Sequence, residues 1–145
     1  MNALRSAGLA GALLLAAVAA HAGRSCEQHR PQVDSIQRSM RLAEHAAAAL
    51  DRSGAQVVVL ARIGQNLSEY GLRYSHLGLA YRDQGRWRVV HKLNQCGTAH
   101  AAVYRQGLGE FFLDDLVEYE AGFAIPTPDV QARLLPVVLD NARLA

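Results

Sequence analysis

The sequence is short of the residues that announce many functions. Its 145 residues hold two cysteines, two methionines, four prolines and one tryptophan, and aromatic residues make up only 6%. Two cysteines, Cys26 and Cys96, are too few for a disulfide-built scaffold. No C-x-x-C pair or ligand-like histidine spacing accompanies them, which argues against a zinc or dithiol redox site. A basic block is missing, as is any interleaving of aromatic with basic residues, so nucleic acid is a poor partner for this chain. Charged residues make up 19% of the chain with both signs interspersed, the pattern of an ordinary solvated surface. There is no internal repeat, and no apolar run reaches the roughly 20 residues that cross a bilayer.

The longest apolar run lies at the N-terminus. Arg5 precedes an uncharged stretch from Ser6 to Ala20 rich in alanine and leucine, and Ala20-His21-Ala22 sets small residues ahead of Gly23. This order is that of a secretory signal peptide, residues 1–22, cut before Gly23. An uncleaved anchor is the alternative, and the shortness of the run argues against it. Lipoprotein processing is disfavoured, because Arg24-Ser25 brings a charge next to Cys26. The expectation is a periplasmic or secreted protein with no stable membrane anchor, meeting a substrate or partner of the envelope that the residues do not identify. Without the leader 123 residues remain, and loss of Arg5 takes the net charge from +2 to +1. That length suits one domain, residues 23–145, with one core. In an oxidising compartment two readings of the cysteines stand: a Cys26–Cys96 disulfide, or Cys96 as a small buried apolar group.

Residues Val33, Ile36, Met40, Ala43, Ala47 and Leu50 recur at spacings of three and four, which predicts a helix with these residues on its packed face. Pro31 suits its first turn and Gly54 its left-handed end. Val57 to Ala61 is a continuous β-branched run, as in a strand buried on both faces. After the polar loop from Gly64 to Gly71, strands over 72–82 and 87–93 form a hairpin turning at Asp83-Gln84-Gly85-Arg86. Two short helices are expected next, from Thr98 to about Gln106 and around Glu110 to Leu116. Glu118 to Ile125 reads as a strand. Pro126-Thr127-Pro128 ends it, and Thr127 or Asp129 caps a last helix. The order predicts an α+β domain, a small antiparallel sheet with a central hairpin packed by helices.

The hairpin holds the residues of chemical interest. With an even loop centred on Gln84-Gly85, paired positions sum to 169, so Gly78 faces His91 and His76 faces Leu93. His76 and His91 then share one face as a diagonal pair, with Tyr74 and Ala80 beside them and space left by the missing side chain of Gly78. An odd loop instead separates the histidines in one of its pairings. Two imidazoles on adjacent strands hold a metal only with a third ligand, and the spacing recruits none, His100 included; no metal and no cofactor is implied. The plain alternative is a pair of half-buried strand histidines that donate to backbone carbonyls. Asp114-Asp115 with Glu118 read as solvated acids rather than paired catalytic carboxylates. Asn66-Leu67-Ser68 carries the glycosylation pattern but reads as a polar loop, and Trp87 and Tyr74 read as hairpin packing.

Three local runs bear on the choice: Val57 to Arg62, Arg73-Tyr74-Ser75-His76-Leu77-Gly78-Leu79-Ala80, and Trp87-Arg88-Val89-Val90-His91. Together they resemble the opening of permuted papain-like proteins, a group that includes NlpC-type cell-wall hydrolases and relatives of lecithin:retinol acyltransferase. That resemblance implies His76 as the imidazole base, His91 as the residue orienting it, and a cysteine nucleophile much later in the chain, at the start of a helix. A base in reach of a thiol and held in one tautomer is what such chemistry needs. More narrowly, the stretch from Asp51-Arg52-Ser53-Gly54-Ala55 to Phe111-Phe112-Leu113-Asp114-Asp115 resembles a bacterial family known only as domain of unknown function 2145. The runs Tyr74-Ser75-His76, Val90 to Thr98 and Gln106-Gly107-Leu108 carry that likeness. By the looser resemblance the domain is C-terminally incomplete and its nucleophile is expected beyond residue 145. Cys96 lies only five residues after His91, too near for the intervening structure. A non-catalytic envelope binding or structural domain of the same fold is the alternative function.

Overall fold

A computed structural model of the chain describes residues 30–96, 98–140 and 142. The expected leader, its cleavage site and Cys26 lie outside the described residues. Helix α1 (Val33–Ser53) is followed by strand β1 (Val57–Ile63), a 3-10 turn (Ser68–Tyr70), β2 (His76–Asp83), β3 (Arg86–Asn94), β4 (Ala101–Gly107), α2 (Leu108–Phe112), β5 (Glu118–Ala124) and α3 (Pro128–Leu139). The five strands form one sheet in the order β4-β3-β2-β1-β5 with every pairing antiparallel. The fold is α+β, as the order of patterns predicts.

Helices cover the sheet on both sides. Ala43, Ala46 and Leu50 of α1 join Leu108, Phe111 and Phe112 of α2 over Val58, Leu60, Ala80, Trp87 and Val89. On the opposite face Val138 of α3, with Leu134 and Leu135, packs on Val57, Tyr81 and Val90. The continuous apolar run of β1 is thereby explained, since its side chains are buried alternately under α1 and α3. Gln131 anchors α3 to the sheet: its Oε1 accepts from the amides of Gln56 and Val57 at 2.9 and 3.2 Å. Among the described residues no helix is long and apolar enough to cross a membrane.

The hairpin has the expected register, Leu79 opposite Val90 through Asp83 opposite Arg86. Its two loop residues, Gln84 (φ 48°) and Gly85 (φ 79°), both take the left-handed conformation whose twist matches the flanking strands. The tip is tied to the end of α1, where Asp51 accepts from Trp87 Nε1 at 2.7 Å and pairs with Arg82.

Several expectations need correction. The stretch from Thr98 to Gln106 is not helical. Thr98 forms a turn, its amide and hydroxyl both donating to the Gln95 carbonyl and its Oγ accepting from His100 N. The turn sends Ala101–Gly107 back along β3 from Asn94 to Arg88, so strand pairing overrides the weak helical preference of an alanine-rich segment. The helix expected near 110–116 is shorter and earlier, ending where Leu113 N meets the carbonyls of Gly109 and Glu110. In α1 the buried stripe is Ser39, Ala43, Ala46 and Leu50. Val33, Ile36 and Met40 are exposed, although the Met40 thioether still reaches Gly109 of α2. Pro31 stands one residue before the N-cap, Gln32.

Strand β2 begins at His76 rather than Leu72. Just before it, Ser75 N still donates to the Arg62 carbonyl at 3.2 Å, and its Oγ accepts from the amides of Gly64 and Gln65 at 2.8 and 3.0 Å. Strand alternation does not extend back to Tyr74. Its ring lies against Gly122 of β5, where an added Cβ would come within 2.5 Å of the Tyr74 hydroxyl. Gly122 is paired with Ala61, on the face away from the histidines, so Tyr74 does not share their side.

Candidate functional site

The site forms where β2, β3 and β4 pass beneath α2. His76 is the first residue of β2 and His91 lies mid-strand in β3, both on the face turned to α2. His76 Nε2 lies 2.7 Å from His91 Nδ1. Their rings meet edge-on, with centroids 5.0 Å apart and planes at 76°. Phe111 closes the apolar side, its ring centroid 5.9 Å from that of His76 and 5.2 Å from that of His91.

Gly78 makes this approach possible. A Cβ there would stand 2.7 Å from Val89 Cγ1, 3.1 Å from the Val90 carbonyl oxygen and 3.2 Å from His91 Cβ. Any side chain at this position would push β3 away and part the rings.

Two residues not identified from the sequence extend the pair. His91 is opposite Tyr104 on β4, which puts Gln106 one diagonal step along the same face. His91 Nε2 is 2.7 Å from Gln106 Oε1, and Gln106 Nε2 donates to Glu110 Oε1 at 3.2 Å. An ionised carboxylate only accepts, so Glu110 holds the amide with its NH2 outward and its oxygen toward His91. His91 then carries its proton on Nε2 and offers the Nδ1 lone pair. His76 must donate from Nε2, leaving its own Nδ1 as an unprotonated acceptor. The chain of bonds thus sets both tautomers in one direction.

Arg62 on β1 is the third feature that sequence reading missed. It is opposite His76 in the ladder and only 4% exposed. Its guanidinium donates to the Phe111 carbonyl, pairs with Asp114 Oδ2 at 2.6 Å and lies 4.8 Å from the Phe111 ring centroid. Burial is the main cause that lowers the His76 pKa, to about 4; the charges of Arg62 and then His91 add to it, and Asp114 opposes them. The His91 pKa is lowered chiefly by burial, against the hydrogen bond to Gln106. Both imidazoles are therefore neutral near pH 7, as a single shared proton between them requires.

Other candidates stand apart. His100 lies in the exposed turn before β4. Asp114 serves Arg62, Asp115 N donates to Asp114 Oδ1, and Glu118 pairs with Arg73 at 3.5 Å, so these acids form no catalytic couple. Asn66 Oδ1 accepts from Ser68 N at 3.0 Å, opening the 3-10 turn. Cys96 is disulfide-bonded, and no cysteine among the described residues is free. No group of three or more metal-ligating side chains occurs among them.

No curated protein and no solved structure matches the chain. A family model does, over residues 49–145, a stretch that holds the whole sheet and every residue of the histidine site. By that match the chain belongs to the bacterial family described as "Uncharacterized protein conserved in bacteria (DUF2145)".

Proposed function

We propose that His76 is the general base of an exported cysteine hydrolase or acyltransferase of the permuted papain-like kind, with His91 orienting it. The observation that carries this reading is the 2.7 Å contact between His76 Nε2 and His91 Nδ1, continued to Gln106. It leaves Nδ1 of His76 as the atom with a lone pair to accept a proton. The nucleophile in this reading is a cysteine thiol brought to Nδ1 from outside the described residues. The thiol proton passes to Nδ1 as sulfur attacks an acyl carbon. The imidazolium then returns that proton to the departing amine or alcohol, and water or a second acceptor cleaves the thioester. A base with a pKa near 4 does not hold a resting thiolate–imidazolium pair, so proton transfer accompanies attack.

The disulfide at Cys96 supports a second reading, a non-catalytic envelope domain that uses the histidines only to stitch β2, β3 and β4 together. Alkylation separates the two. The protein, expressed from its whole reading frame and purified from the envelope, is treated with iodoacetamide at neutral pH. The hydrolase reading expects one rapidly labelled thiol, distinct from Cys96, whose rate falls at least tenfold in His76→Ala. Equal labelling rates in both proteins favour the binding domain.

A further inference from the structure

The side of the sheet away from the histidines has its own unused chemistry. Val90 points there, into contact with α3. Arg86, Arg88 and Lys92 share its face of β3, and Arg105 on β4 is directly opposite it. Arg105 thus sits diagonally between Arg88 and Lys92. None of these four cations takes part in an ion pair among the described residues. Asp83, the carboxylate on this side of the hairpin, is opposite Arg86 at the turn and is not paired with it either. Adjacent like charges repel, and folding sets these four together without a neutralising partner.

Two polar groups beneath them are only loosely satisfied. Tyr81 is fully buried and opposite Arg88; its hydroxyl and the buried Nη2 of Arg105 form no well-aligned hydrogen bond and face each other in a loose contact, with the Asp83 carboxylate acting on the same hydroxyl. The two meet, since the Arg105 guanidinium carbon lies 5.7 Å from the Tyr81 ring centroid. Buried polar atoms in folded proteins are almost always satisfied, by protein, water or an ion.

We propose that Arg88, Arg105 and the Tyr81 hydroxyl form a binding site for a phosphate group, with Arg86 and Lys92 flanking it. Donors arriving from three strands suit a tetrahedral oxyanion with an oxygen for each. A planar carboxylate is fully served by a single guanidinium fork. Arg105 is half-buried, and its long side chain has the rotamer freedom to turn its guanidinium from Tyr81 toward a bound anion. Helix α3 packs on the neighbouring β1 and β2 and stands about 10 Å above the sheet. The cations therefore lie beside a helix that rises above the sheet, which favours a soluble phosphate ester over a flat bilayer. The site is independent of the histidine chemistry on the other face.

Amide spectra of the full chain, titrated at constant ionic strength with inorganic phosphate, glycerol 3-phosphate or chloride, test this. Saturable shifts centred on Arg88, Arg105 and Tyr81 are expected with both phosphates and not with chloride. Affinity should fall at least tenfold in Arg105→Met and measurably in Tyr81→Phe, which removes only the hydroxyl. Arg41→Met, on α1, and His76→Ala should bind as the native chain does. Cosedimentation with phosphatidylglycerol vesicles should be negligible. Shifts equal to those of chloride, full affinity in a folded Arg105→Met, or binding to the vesicles alone would overturn the proposal.

Discussion

At the scale of single residues, the site depends on one missing side chain and one buried charge. Gly78 permits the approach of β2 and β3 at the histidines. Gly78→Ala places a methyl group 2.7 Å from Val89 Cγ1 and 3.2 Å from His91 Cβ, and overpacking of this kind costs about 1–3 kcal/mol. Urea unfolding should show that loss, and the proton shared by the two imidazoles should exchange faster with water. Arg62 acts through charge. In Arg62→Met the second-largest cause of the low His76 pKa disappears, so the midpoint followed by proton NMR should rise from about 4 toward the ordinary histidine value. An unchanged midpoint in a folded variant would show that burial alone sets it.

At the scale of elements, the hairpin was legible and the strand beside it was not. A two-residue turn fixes parity. Once Gln84-Gly85 is taken as the loop, His76 and His91 must share a face, whatever the rest of the chain does. β4 carries no such local mark. Its opening residues Ala101 and Ala102 suit a helix, and only the length of β3 waiting beside them makes a strand the better state. Misreading β4 hid Gln106, whose role exists only through its parity with Tyr104 and His91. Glu110 was hidden with it. Arg62 at a strand end looks like a surface residue until α2 is laid over it. The turn also offers a test. Gln84 is a non-glycine residue at φ 48°, a conformation that asparagine tolerates better. Gln84→Asn should stabilise the protein by a few tenths to about 1 kcal/mol in urea unfolding without moving the histidine signals. A destabilised variant would contradict the turn assignment.

At the scale of the whole molecule, the two neutral histidines couple folding to pH. In the folded chain His76 takes up a proton only near pH 4, whereas in the unfolded chain it does so near pH 6.5. His91 is shifted in the same direction. Between these values the unfolded state binds more protons, so stability is fully present above about pH 6.5 and declines as pH falls toward 4. Urea midpoints at pH 7, 5.5 and 4.5 should decrease in that order, and more steeply in the native protein than in His76→Gln. Equal slopes would mean that the histidine pair contributes nothing to the acid sensitivity.

Glu110, Gln106 and His91 together direct one lone pair outward, on Nδ1 of His76. Nitrogen-15 NMR of the imidazole rings reads it directly. At pH 7 both rings should be neutral Nε2–H tautomers, with a coupling across the hydrogen bond from His76 Nε2 to His91 Nδ1. His76 Nδ1 should remain unprotonated until the pH falls to about 4. A proton on Nδ1 of His76 at pH 7, or a His76 that titrates near 6.5, would contradict the account.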